Sequence, residues 1–487
     1  MRLILLAALV ALPASLSAQS RTLSAKDSAL VARILLAEDR RDSTDAALAD
    51  GVRHADVRLR TLALRARGRI RDGQFAARDS LPALPTPTVW PEAAWRLRFR
   101  DLTAQRNNCP ALRAALADSA WAVRLRAADL VGTACAADDG ITTTLRAWVD
   151  ALPSDASRRA PGGVSWHAGA HAIVALARAR PAEARPRIDA LARHTQWQVR
   201  AYAARAATVL VDTQRLRALA RDEDDNVKDV AIEALTKLTG HADDDIYLET
   251  VRARGAQAVR AAAVALKGSM RPDAKSAAST AFDQWVARGN ASARDARVAL
   301  LEAAGRPASD DRPPTIKVAL PTQAVALALG ADVRLRVTLS MSSGGGSFVV
   351  RLRGDVAPMM AGRTLDLVRA RYYDGLTWHR VEPDFVIQGG SPGATEYIGN
   401  SQFFRDELGT VPHTRGTLGM STRGHDTGDA QWFVNLRDNL RLNKDYTVFA
   451  EVIDGIDTVD GVLEGDAIAT IVEIPPSPRG MPQRGLR

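Results

Sequence analysis

The stretch RYYDGLTWHRVEPDFVIQGG occupies residues 371–390. Two further blocks follow it. HTRGTLGMS runs from His413 to Ser421 and is followed by AQWF from Ala430 to Phe433; LNKDYTVFAEVI runs from Leu442 to Ile453. Upstream, Val333-Arg334-Leu335-Arg336-Val337-Thr338-Leu339 alternates apolar and polar side chains, Gly344-Gly345-Gly346 makes a turn, and Phe348-Val349-Val350-Arg351-Leu352 returns. Alternation across a glycine-rich turn predicts a β-hairpin. The last third of the chain therefore reads as β.

These blocks resemble those of the cyclophilins, in the same order and at closely similar spacing. The resemblance implies a closed eight-stranded antiparallel barrel with two covering helices over residues 333–476, and peptidyl-prolyl cis-trans isomerase activity on proline-containing unfolded or extended polypeptides. Asp406-Glu407 fits the family's acidic segment ahead of the second block.

The chemistry asks for little. Rotation about an X-Pro bond meets a barrier of roughly 18–20 kcal/mol because the nitrogen lone pair is delocalised into the carbonyl. No covalent bond need form, so no cofactor or metal is expected. A catalyst needs an apolar slot for the proline ring and a donor aimed at the proline nitrogen, which favours the pyramidal nitrogen of the twisted state. It also needs polar groups that hold the preceding carbonyl.

By resemblance, Arg380 is the catalytic arginine, a permanently charged planar donor, and Gln388 supports it and the substrate backbone. Phe385, Phe433 and Leu442 are the floor and walls of the proline slot, and Gln431 borders it. Met420, Ser421 and Thr422 lie at the strand end expected along the substrate backbone. Val386 stands where a Met is common, Arg441 where cyclosporin-sensitive members carry Trp, and Tyr446 where eukaryotic members often carry His. All of these belong to the expected substrate-binding set. Ser391 to Gln402 departs from the usual glycine-rich loop and borders the site. His379 and His413 read as structural hydrogen-bonders, because this reaction moves no proton.

The rest of the chain differs in character. With 487 residues, 46% of them hydrophobic and 25% charged, it is too long for one core. Residues 19–305 are rich in Ala, Leu, Arg and Asp. A turn, then Val-Arg or Val-Lys, then an Ala-rich helix recurs at Val57, Val123, Val199, Val227 and Val259. That spacing predicts stacked helical hairpins, similar to HEAT repeats, with a concave face that holds clients or recruits a protein partner. In one unit Val227, Val230, Ala231, Ala234, Leu235 and Leu238 make an apolar helix face, with Asp224, Asp225 and Asn226 placed to cap it. Prolines at 307, 313 and 314 mark a linker over 306–332, and residues 477–487 read as a loose tail. The fold class expected is therefore multi-domain α and β: an all-α repeat solenoid, then the barrel.

Residues 1–18 carry Arg2, an apolar run from Leu3 to Leu12, and small residues up to Ala18. This predicts a secretory signal peptide, hence a periplasmic or secreted protein with no membrane span. An oxidising compartment permits a disulfide between Cys109 and Cys135, with two buried thiols as the alternative. In a helical hairpin, the start of the first helix and the end of the second bring those two residues to one end. The net charge of +9 is spread among Asp and Ala rather than gathered in a basic block, so nucleic acid is not expected as a partner. His167 and His171, four residues apart, read as a solvated helix face rather than a metal site.

Overall fold

A computed structural model describes residues 23–72, 84–152, 163–312 and 319–475. The expected signal peptide and tail lie outside the described residues. No helix among the described residues is long and apolar enough to cross a membrane.

Among the described residues from Ala25 to Ala303 every regular element is a helix. The five helices Trp121–Leu130, His167–Ala179, Trp197–Val209, Asp225–Thr239 and Ala256–Leu266 carry nearly half of the buried apolar side chains of two adjoining cores. Helix Asp225–Thr239 shows how. Asp224 caps it by accepting from the Asn226 N–H at 2.8 Å, and Val227, Ala231, Ala234 and Leu235 are buried. The buried face is rotated from the expected one. Ile232 and Asp229 join it, and Leu238 is exposed. Asp229 is tolerated inside because Gln257 and Arg260 of the next hairpin both donate to it at 2.9 Å. Cys109 and Cys135 are joined in a disulfide, their Cα atoms 5.4 Å apart.

The barrel strands are β1 (Arg334–Leu339), β2 (Ser347–Leu352), β3 (Arg380–Val381), β4 (Val386–Gly389), β5 (Thr417–Met420), β6 (Trp432–Asn435), β7 (Val448–Asp454) and β8 (Ile468–Ile474). They form one antiparallel sheet in the order β3-β4-β6-β5-β7-β2-β1-β8. Gly344, Gly345 and Gly346 all take positive φ in the β1–β2 turn, a conformation that costs any other residue. The barrel is not closed by a full ladder. Its ends are joined by the segment ahead of β3 rather than by β3 itself: Thr377 bridges to Ser391 and to Ala467, the Gly375 and Trp378 N–H groups donate to the Ile468 and Asp466 carbonyls, and the Ile468 N–H donates to the Leu376 carbonyl. One long helix, Pro358–Arg369, covers it, and the Glu407 carboxylate caps that helix by accepting from the Met359 and Met360 N–H groups. The second helix, Ile456–Asp460, is a single short turn.

The helical part does not stand apart from the barrel. Helices Ala25–Arg40, Ala46–Val52 and Val57–Arg71 share a core with Ala324, Ala328 and Met359 rather than with the later hairpins. Ala324 and Ala328 belong to a short helix, Ala324–Ala328, inside the segment expected as a linker. Buried Arg69 pairs with Glu38 at 2.6 Å and donates to the main-chain oxygens of Leu408 and Val356. Residues 84–91 run along the sheet, and the Trp90 indole donates to the Val452 carbonyl. The helical part thus packs directly against the barrel.

Candidate active site

The site follows from sheet register. Arg380 pairs with Gln388, Gln388 with Phe433, and Phe433 with Gly419. Directly opposed residues on neighbouring strands point to the same face. Arg380, Gln388 and Phe433 therefore form one row across β3, β4 and β6, and Gly419 on β5 completes it. Gly419 is where the row needs a missing side chain, since a Cβ there would lie 2.3 Å from the Phe433 ring.

Over this row opens a cavity of about 130 Å³ lined by Arg380, Phe385, Val386, Gln388, Phe433 and Leu442, among others. Val386, Phe433 and Leu442 form a small apolar cluster, with Phe385 and Tyr446 packed against it. The Phe433 ring stands edge-on to Tyr446 and stacks on His413. His413 is held as a neutral ring: burial lowers its pKa, its Nδ1 accepts from Asn435, and its Nε2 donates to the Tyr446 carbonyl. The Gln388 amide donates to Ser421 Oγ and to Gln431 Oε1, both at 3.1 Å. Two guanidiniums lie over the Phe385 ring, Arg441 at 4.6 Å and Arg380 at 5.9 Å.

The region from 336 to 473 matches the family described as "Cyclophilin type peptidyl-prolyl cis-trans isomerase/CLD". Peptidyl-prolyl cis-trans isomerase B of Bacillus subtilis is 34% identical over 129 residues, which span 26% of this chain and 90% of that protein. The chain belongs to the cyclophilin family. Its activity is that of a cyclophilin-type peptidyl-prolyl cis-trans isomerase. Peptidyl-prolyl cis-trans isomerase-like 1 of Rhizopus delemar is 36% identical over 25% of this chain and 78% of that one. A solved cyclophilin-type isomerase of Cryptosporidium parvum overlays at TM-score 0.28 and 24% identity, covering 30% of this chain and 99% of its own.

Within the cyclophilin barrel, Arg380, Gln388, Phe385, Val386, Phe433, Ser421, Thr422, Leu442 and Tyr446 come together around the slot. Three expectations need correction. Met420 is fully buried in the barrel core, because strand alternation turns it away from the face that Gly419 shares with Phe433. Gln431 lies behind the site rather than at its border: it is buried, and its amide holds the carbonyls of Glu396 and Ile398. His379 has no well-formed hydrogen bond at either ring nitrogen, and burial pushes its pKa down to about 4.

Two rim residues were not singled out from the sequence: Glu396, within the segment expected to border the site, and Arg423. Glu396 Oε1 lies 3.2 Å from the Arg380 guanidinium. Arg423 donates to the Glu396 carbonyl and pairs with Asp295 of the helical part. The whole loop is gripped from that side. Asn226 donates to the Gly393 carbonyl at 3.0 Å, the Thr395 hydroxyl donates to Gln257, and Arg260 stacks 4.1 Å over the Tyr397 ring. His167 and His171 are also part of the docked face rather than solvated. His167 is buried and bonds the Glu464 carbonyl at 2.8 Å, while His171 lies between Asp129 and Tyr202.

Proposed function

We propose that this isomerase serves extended polypeptides outside the cytoplasm, with Arg380 as the catalytic group and the helical part as the element that holds clients or recruits a partner. The observation that carries the catalytic reading is the row Arg380–Gln388–Phe433 beneath the slot. A proline ring seated against Phe433, Leu442 and Phe385 puts its nitrogen within reach of a guanidinium that is always charged. A donor there stabilises the pyramidal nitrogen of the twisted state more than the planar ground state, which lowers the barrier without moving a proton. Gln388, fixed by Ser421 and Gln431, holds the substrate backbone while the other end turns. The leader-like residues 1–18 support export, and so does a disulfide, which persists in oxidising compartments.

A second reading has an observation of its own. The Glu396 carboxylate occupies the Arg380 guanidinium, as it would in a barrel that binds proline segments with little turnover. A protease-coupled proline-peptide assay separates the two. Wild-type turnover that falls at least about 100-fold in Arg380→Ala and is poorly restored by Arg380→Lys supports the enzyme. Wild-type-like rates in Arg380→Ala remove the assignment, and tight binding without turnover favours the second reading.

A further inference from the structure

The proline slot does not end at Arg380. A second cavity of about 330 Å³ begins there, with Arg380 lining both, and it passes His379 and Val381. A third, of about 370 Å³, shares Ala122, Val381, Pro383 and Leu463 with the second. The three lie in series along one seam, with the free edge of β3 on one side and the helices Trp95–Ala104, Trp121–Leu130, His167–Ala179 and Trp197–Val209 on the other.

β3 is an end strand, paired only with β4. The Glu382 N–H donates to the Val386 carbonyl, and two residues back Arg380 faces Gln388. Bonded and unbonded pairs alternate along an antiparallel ladder. Val381 therefore falls at the unbonded position, its N–H and C=O directed away from β4 and toward the two cavities it lines. Beside it, the buried ring nitrogens of His379 lack well-formed hydrogen bonds of their own. Trp95 and Trp121 line the third cavity, Phe99 and Leu125 the second.

We propose that this seam is a strand-accepting groove that binds the residues of an extended client polypeptide next to the proline held in the slot. The inference rests on the reading that the barrel acts on extended chains. A peptide laid along β3 would pair its main chain with Val381 and place alternate side chains against the aromatic walls, the mode of recognition in which main-chain bonds supply affinity and pockets supply preference. Helices often cover a sheet edge merely to block it. Arg96 of the first of these helices does grip the chain just past β3, donating to the Pro383 carbonyl, but Arg380 and Val381 themselves still line open cavities with room for a peptide. The charges lining the second cavity balance across the seam, Arg126, Asp129 and Arg205 from the helices with Arg380, Glu382 and Glu464 from the barrel, so the groove selects extended apolar main chain rather than a charged sequence.

The test compares two fluorescent peptides with the full chain: a blocked proline tetrapeptide, and a peptide of about fifteen residues with apolar flanks around the same proline. The longer peptide is expected to bind about ten-fold more tightly by anisotropy. Ala122→Arg fills the seam from the helix side, outside the slot, and should bring the longer peptide's Kd to that of the tetrapeptide while tetrapeptide turnover stays unchanged. Ser119→Trp, on an exposed turn lining the third cavity, is the second variant should Ala122→Arg fold poorly. Equal wild-type Kd values for the two peptides, or a longer-peptide Kd unmoved by the folded variants, would overturn the groove. Tight, length-dependent binding with no turnover of either peptide leaves the groove standing and removes the isomerase reading instead.

Discussion

The carboxylate of Glu396 lies 3.2 Å from the guanidinium of Arg380. Main-chain and side-chain bonds from Gln431, Arg423, Gln257 and Asn226 hold the loop that carries it. The group expected to meet the proline nitrogen is thus shared with an anion positioned, in part, by the helical repeats. Both side chains are partly exposed, so the pair is worth only about 0–1 kcal/mol. Glu396→Gln should therefore raise kcat/KM by up to about five-fold. Added salt should stimulate the wild type and leave Glu396→Gln nearly unaffected, because screening weakens an exposed pair. A fall in kcat/KM in the variant would show that Glu396 orients Arg380 rather than competing for it.

Gly419 leaves the space that the Phe433 ring fills. Gly419→Ala should push that ring toward the slot, at a cost of about 1–3 kcal/mol in stability from overpacking and with a larger fall in turnover than in Arg380-independent stability. Thermal unfolding and the proline-peptide assay read the two effects separately. Unchanged values in both would mean that Phe433 can move aside freely.

Asp429 lies buried beneath the same loop, where the Asn400 N–H donates to its main-chain oxygen. Burial pushes its carboxyl up to about 6, against the pull of Arg423. The folded state then holds this proton more tightly than the unfolded chain does. Stability from this group is greatest below the ordinary carboxylate range and is lost as pH rises from about 4 toward 6. Asp429→Asn, which mimics the protonated form, should flatten that decline. Denaturant unfolding of both proteins at several pH values checks it, and parallel curves would rule this origin out.

The disulfide closes a separation of 26 residues. In the chain-entropy account, such a loop stabilises by about 3–4 kcal/mol. Cys109→Ser combined with Cys135→Ser should lower the unfolding free energy of the helical part by that order. Thiol titration of unfolded, unreduced wild-type protein should find no free thiol; two per chain would contradict the bridge.

Much of this molecule is legible in its sequence, for local reasons. Alternation of apolar and polar residues over 333–352 predicts the first hairpin. The Val-Arg turns mark the starts of buried helices at Val123, Val199, Val227 and Val259. The slot residues from Arg380 to Gln388 sit close together in the chain, so their spacing carries most of their geometry. Met420 was misread because its side depends on a one-residue parity within a strand, and only pairing with Trp432 settles that.

What no local pattern contains is which surfaces meet. Asp229, His167 and Glu464 look like solvent-facing residues in sequence. Asp229 and His167 are buried and Glu464 half-buried because partners from distant segments, Gln257 and Arg260 for the first, the barrel and helices for the other two, remove them from water together. The resemblance places residues 391–402 at the border of the site; that they join it to the helical part follows from contacts spanning more than a hundred residues. By itself the sequence determined the elements, the slot and the family, because those rest on periodicity and short spacings. The docking of the helices around the barrel, the Glu396–Arg380 pair and the seam along β3 were decided by tertiary structure, because burial and ion pairing depend on which groups the whole fold brings within a few ångströms.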